Sequence, residues 1–134
     1  MFHIAFPISN LKETIKFYTK ILNAKIGRST SNWVDFNWHG NQITVQVAGN
    51  FKKKTPALGK EGVPLSHFGI VLELPEWNNI KLRMIEKNIP FLVPPKIVFE
   101  GEVGEQHTFF VEDPNGYPIE FKGFASLSSV FRNK

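Results

Sequence analysis

Apolar and polar residues alternate with a period of two from the start of the chain. Between Phe2 and Ile8, the residues Phe2, Ile4, Phe6 and Ile8 share one face, while His3, Ala5 and Pro7 share the other. That pattern predicts a half-buried strand. The period then changes to that of a helix. Leu11, Ile15, Tyr18 and Leu22 fall on one stripe, and Asn10 followed by Glu13 has the pattern of an N-terminal cap. "AKIGRS" predicts a short strand, "NWVDFNW" a strand that turns at "HGN", and "QITVQV" the returning strand. In that last segment Ile43, Val45 and Val47 face one way, and Gln42, Thr44 and Gln46 the other.

Residues 51–63, "FKKKTPALGKEGV", have the Gly, Pro and Lys content of a linker. Beyond them the order repeats. "LSHFGIVLEL" predicts a strand, and Pro75 suits the first turn of a helix running to about Asn88, with Trp77, Ile80 and Met84 on its apolar side. "IPFLV" or "KIVF" is a short strand, "HTFFVE" a longer one, "DPNG" a turn, and "YPIEFKGF" the last strand. The tail "ASLSSVFRNK" adds a short helix. Residues 1–134 therefore read as one α+β domain built from two βαβββ modules, about 1–50 and 64–124. Setting His3 on His67 sets helix on helix, and setting Gly40 on Gly116 matches Thr44 with Glu120.

Composition narrows the function classes. The chain has no cysteine, which excludes disulfides and thiolate metal sites. The net charge of +4 is modest, and Lys52, Lys53 and Lys54 form the only basic run, so they read as a solvated loop rather than a nucleic-acid face. With no signal-like N-terminus and no long apolar run, the expectation is a soluble cytoplasmic protein with no membrane partner.

The candidate chemistry lies where the repeat places histidines. Two of the four histidines, His3 and His67, begin equivalent strands. Glu120 sits between Ile119 and Phe121, so alternation turns it away from the helix-packed face. A carboxylate in such a position needs water or a partner. Two imidazoles and one carboxylate suit a divalent metal and leave positions open for water or substrate. Fe(II) or Mn(II) is favoured, with Zn or Ni possible.

Paired βαβββ modules, a first-strand histidine, the "HFGIVL" histidine and a glutamate after "DPNG" resemble the vicinal oxygen chelate superfamily. That superfamily includes glyoxalase I, extradiol dioxygenases, fosfomycin-resistance enzymes and bleomycin-resistance proteins. The stretches "FHIAFPISNL", "WVDFNWHGNQ", "HFGIVLE", "GEQHTFFVEDPNG" and "IEFKGF" are most similar to small single-domain members predicted to be extradiol-type dioxygenases. The resemblance implies a cup-shaped mixed sheet around a metal held by His3, His67 and Glu120. It implies a small substrate chelated through adjacent oxygens, and pairing of modules within a chain or in a homodimer.

The chain also departs from that pattern. Thr44 stands where glyoxalase I has a second carboxylate ligand, Phe110 where extradiol enzymes carry a tyrosine, and Gly101 where they carry an acid–base histidine. His107, Gln46 and Gln106 are the remaining candidates for proton transfer or substrate contact. Phe110, Thr44 and Trp33 are candidates for the pocket wall. The expected function is a metal-dependent dioxygenase-like enzyme. The alternatives are a non-redox lyase, isomerase or transferase, and a metal-free binding protein of the bleomycin-resistance type.

Overall fold

The computed structural model describes residues 1–134. Its strands form two four-stranded mixed sheets, one for each of the expected βαβββ modules, and the chain divides into two compact units. The first unit holds residues 1–55 and 113–116, the second residues 56–112 and 117–134.

In the first unit, β1 (His3–Ile8), α1 (Leu11–Lys16), β2 (Lys25–Ser29), β3 (Trp33–Trp38) and β4 (Asn41–Val47) follow one another. The sheet order is β1-β4-β3-β2, with β1 parallel to β4 and the other pairs antiparallel. Asn10 caps α1 as its sequence position suggests, its Oδ1 accepting from the Glu13 N–H at 2.9 Å. After α1 the chain continues as a π-helical turn, Phe17–Ile21. Thr14 and Thr19 return hydroxyl hydrogen bonds to the carbonyls of Asn10 and Ile15, at 2.8 and 2.7 Å.

The wider turn moves the apolar stripe. Thr14, Phe17, Tyr18 and Leu22 are buried, whereas the expected Leu11 and Ile15 are only half-buried. Phe2, expected on the core face of β1, is 64% exposed and precedes the strand. Tyr18 stacks on Phe36 with ring centroids 5.0 Å apart, over the face formed by Val34, Ile43 and Val45. His39 and Gly40 turn the β3–β4 hairpin with positive φ (51° and 79°), as a two-residue turn between twisted strands demands.

In the second unit, β5 (Phe68–Glu73), α2 (Leu74–Glu86), β6 (Val93–Val98), β7 (Gln106–Glu112) and β8 (Pro118–Phe124) precede a short 3-10 turn, Leu127–Ser129. The sheet order is β5-β8-β7-β6. Trp77, Ile80 and Met84 of α2 are buried, and the Trp77 indole N–H donates to the Phe121 carbonyl at 2.8 Å. Gly123 makes room for that ring, since a Cβ there would sit 2.7 Å from Trp77 Cγ. Phe109 stacks on Phe121 with centroids 4.9 Å apart.

The sequence offered two short alternatives for the strand after α2. The structure has one strand, β6, that takes in Pro94 and Pro95. It lies at the sheet edge, where a missing N–H need not cost a ladder bond, and the register shifts between Val93 and Lys96. No helix is long and apolar enough to cross a membrane.

The "DPNG" turn belongs to the first unit and supplies its buried polar centre. Asn115 Oδ1 accepts from Ser9 N–H at 3.0 Å, and Asn115 Nδ2 donates to Thr14 Oγ1 and to Asp113 Oδ2, each at 3.1 Å. Tyr18 OH donates to the same Asp113 Oδ2 at 3.1 Å. Asp113 and Asn115 are each only 2% exposed. Removing one member strands the others without water. Asn115→Leu is expected to cost roughly 2–3 kcal/mol in urea unfolding, with the slope unchanged. A loss within about 0.5 kcal/mol, the range of an ordinary surface substitution, would show that the cluster does not hold this unit together.

Candidate metal centre

His67 and Glu120 meet because β5 and β8 run parallel at close quarters. Gly69 of β5 pairs with Glu120 of β8, and a Cβ on Gly69 would run into the Glu120 carbonyl oxygen. Only glycine therefore permits this approach. On β8, Ile119 and Phe121 are buried, with Phe121 bonded to α2, so alternation turns Glu120 to the opposite face, where His67 reaches it from the residue before β5. His67 Nε2 lies 3.1 Å from Glu120 Oε1.

The other ring nitrogen fixes the chemistry of this pair. His67 Nδ1 is 2.8 Å from the Pro64 carbonyl oxygen. A carbonyl only accepts, so Nδ1 carries a proton and donates it. In the neutral ring Nε2 is then a bare acceptor, and it points at another acceptor, the Glu120 carboxylate. Two acceptors at 3.1 Å need a proton or a cation between them. Glu120 is only 8% exposed, and its other oxygen, Oε2, accepts from Thr108 Oγ1 at 2.6 Å. Lys122 Nζ stands 3.9 Å from Oε1, at the outer limit of an ion pair. The donor set, a neutral imidazole with a fixed tautomer and an oriented carboxylate, fits a divalent metal ion.

Phe110 packs edge-on to His67, with centroids 4.9 Å apart and planes at 84°. It is 1% exposed, so it holds the imidazole in place rather than lining an open pocket wall. His107 lies on the other face of β7, edge-on to Trp77 at 5.3 Å, which removes it from the side of the sheet that carries Glu120. Gly101 adopts φ of 77°, a left-handed conformation in which a histidine would be strained. Its N–H donates to Glu105 Oε1 at 2.8 Å. Gln106 begins β7 on the same face as Thr108 and Glu120.

The remaining candidates lie in the first unit. His3 is exposed on β1, in register with Gln42. Gln46 is exposed and pairs with Trp33, which is half-buried. Thr44 does not stand alone, because its hydroxyl donates to Asp35 Oδ1 at 2.6 Å. Asp35, 8% exposed and opposite Thr44 on β3, was not singled out from the sequence. Its signal was there: one acid inside "WVDFNW", between Val34 and Phe36, which both turn to the core. Within each unit, no group of three His, Asp or Glu side chains is placed to hold a metal ion. The structure thus brings together two of the expected ligands, His67 and Glu120, inside the second unit.

Residues 1–121 match the family model of the glyoxalase/bleomycin resistance protein/dioxygenase superfamily, and the chain belongs to that superfamily. Among solved structures it is similar to a glyoxalase/bleomycin resistance protein/dioxygenase from Alicyclobacillus acidocaldarius, with 25% identity and a TM-score of 0.81 over 98% of this chain and 96% of that one. A mutant of the fosfomycin resistance protein FosX from Listeria monocytogenes, complexed with Mn(II) and 1S,2S-dihydroxypropylphosphonic acid, shares the fold at 16% identity and a TM-score of 0.73, covering 98% and 95% of the two chains. A lactoylglutathione lyase from Agrobacterium tumefaciens does so at 12% identity and 0.66, covering 93% of each.

Two substitutions test the geometry. Thr108→Val removes the hydroxyl that orients Glu120 and is expected to weaken divalent-metal binding by about 10- to 100-fold in calorimetric titration. Gly69→Ala displaces Glu120 through its backbone and is expected to weaken metal binding and lower the melting temperature together. Unchanged metal affinity in both variants would mean that the placement of Glu120 does not matter for binding.

Proposed function

We propose that this protein is a metal-dependent, dioxygenase-like enzyme that chelates a small substrate through two adjacent oxygens. His67 and Glu120 are two of its metal ligands and His3 the third. The single observation that carries this reading is His67 Nε2 facing the Glu120 carboxylate while Nδ1 is tied to Pro64. Fe(II) or Mn(II) is the favoured metal, with Zn or Ni as alternatives. The FosX relative gives the choice a chemical precedent, since it was crystallised with Mn(II) and a compound bearing neighbouring hydroxyls.

A divalent ion would supply Lewis acidity, orienting the substrate oxygens and lowering the energy of charge that develops on them. The chain's own groups supply the rest. The Pro64 carbonyl and the Phe110 edge hold the imidazole in one orientation. Thr108 holds Glu120 Oε2 and so leaves Oε1 directed at His67. Phe110 keeps that side of the imidazole dry, and Lys122 adds positive charge beside the carboxylate.

The placement of Phe110 and His107 favours a second reading, a non-redox lyase, isomerase or transferase. Catechol ring cleavage needs proton transfer, and the face that carries Glu120 presents Phe110 there while His107 packs against Trp77. A homodimer in the cytoplasm, with no nucleic-acid partner, completes the proposal.

His67→Ala and Glu120→Gln are each expected to lower metal affinity at least 100-fold with the circular dichroism spectrum unchanged, and His3→Ala to lower it as well. Full metal retention in the first two would overturn the site. Loss in those two with retention in His3→Ala would remove His3 alone. Fe(II)-loaded protein prepared without oxygen is expected to consume oxygen with a catechol panel. No uptake at full loading, together with turnover of a vicinal diol or epoxide on Zn or Ni without oxygen, would select the non-redox reading.

A further inference from the structure

We propose that the substrate is a small amphipathic acid, held in a cavity of the second unit with its anionic group at Lys122 and a hydroxyl or N–H donor at Gln106. The inference rests on the metalloenzyme reading above, because the cavity is a substrate pocket only if the pair beside it does chemistry.

The cavity measures about 400 Å³, within the range of small-molecule sites. Its walls include Phe99, Val103, Phe124 and Phe131, and its polar side chains are Gln106 and Lys122. Both lie on strands that build the metal centre. Lys122 follows Glu120 on the same face of β8, and Gln106 precedes Thr108 on the same face of β7.

Three observations define the ligand. Gln106 Oε1 is buried without a hydrogen-bond partner, a costly state that a donor on the ligand would relieve. Lys122 Nζ is 3.9 Å from Glu120, too far for a close ion pair, and its side chain is 38% exposed, so its charge is available to an anion. Phe99, Val103 and Phe131 are 55%, 49% and 95% exposed, an apolar rim that an apolar ligand body would cover.

The loop at the rim carries three residues in the left-handed region. Phe99 sits at φ of 57°, with Gly101 and Gly104 also at positive φ. A bulky residue in the left-handed region is strained, and such strain collects at ligand sites. A second copy of the chain would cover the aromatic rim but would leave the unpaired acceptor of Gln106 and the ammonium of Lys122 unexplained.

Calorimetric titration with three probes tests the inference: 4-hydroxyphenylacetate, phenylacetate, which lacks the donor, and 4-hydroxyphenylethanol, which lacks the anion. Each is titrated into metal-free and metal-loaded protein. Removal of either group is expected to weaken binding about tenfold to the wild type, metal-free included. Lys122→Met should erase the advantage of the acid over the alcohol and leave that of the hydroxyl, while Gln106→Leu should do the reverse. Gln106→Leu should bind metal as the wild type does. Equal binding of all three probes, advantages that survive the substitutions, or no binding with Phe99 and Phe131 covered by a second copy would each overturn the inference. Metal binding retained without any acid preference sinks this inference alone. An acid preference retained in a protein that binds no metal leaves a ligand site and overturns its role as a substrate site.

Discussion

A histidine acceptor and a carboxylate acceptor point at each other across 3.1 Å, and the surrounding unit is arranged to keep them there. The repulsion between two such lone pairs is relieved only by a positive charge, whether a proton or a metal ion. Each neighbour strengthens that demand. The Pro64 carbonyl takes the proton of Nδ1, Phe110 blocks rotation of the ring, and Thr108 fixes the far carboxylate oxygen. Gly69 removes the one side chain that would push β8 away from β5.

This arrangement draws its rigidity from packing on the other face of the same sheet. Trp77 of α2 binds the Phe121 carbonyl, and Phe109 stacks on Phe121. The residues flanking Glu120 are thus anchored in the core while Glu120 itself projects to the opposite side. Period-two alternation converts that anchoring into positioning: wherever Ile119 and Phe121 are held, Glu120 is held as well.

Much of this was legible in the sequence, for local reasons. Asn10 caps a helix because its side-chain oxygen reaches a backbone N–H three residues on, Pro75 suits a first helical turn, and "HGN" and "DPNG" turn where glycine relieves positive φ. What was not legible depended on contacts distant in the chain or on geometry that propensity does not encode. The π-helical turn at Phe17–Ile21 moved the buried stripe from Leu11 and Ile15 to Thr14 and Phe17. Pro94 and Pro95 entered a strand because that strand lies at an edge. Asp113 and Asn115 build the polar centre of the first unit although they stand between strands of the second. The pairing of His67 with Glu120 was expected from the repeat and the family resemblance, while the tie to Pro64 and, in the first unit, the Asp35–Thr44 pair were not.

The central claim is that a divalent ion takes the place between His67 and Glu120. Anomalous diffraction from crystals grown with Mn(II) measures this directly. The expected result is a manganese peak about 2.1 Å from both His67 Nε2 and a Glu120 carboxylate oxygen, near the distances usual for first-row metals on these ligands. A manganese peak elsewhere, with Nε2 still in direct contact with the carboxylate, would contradict it.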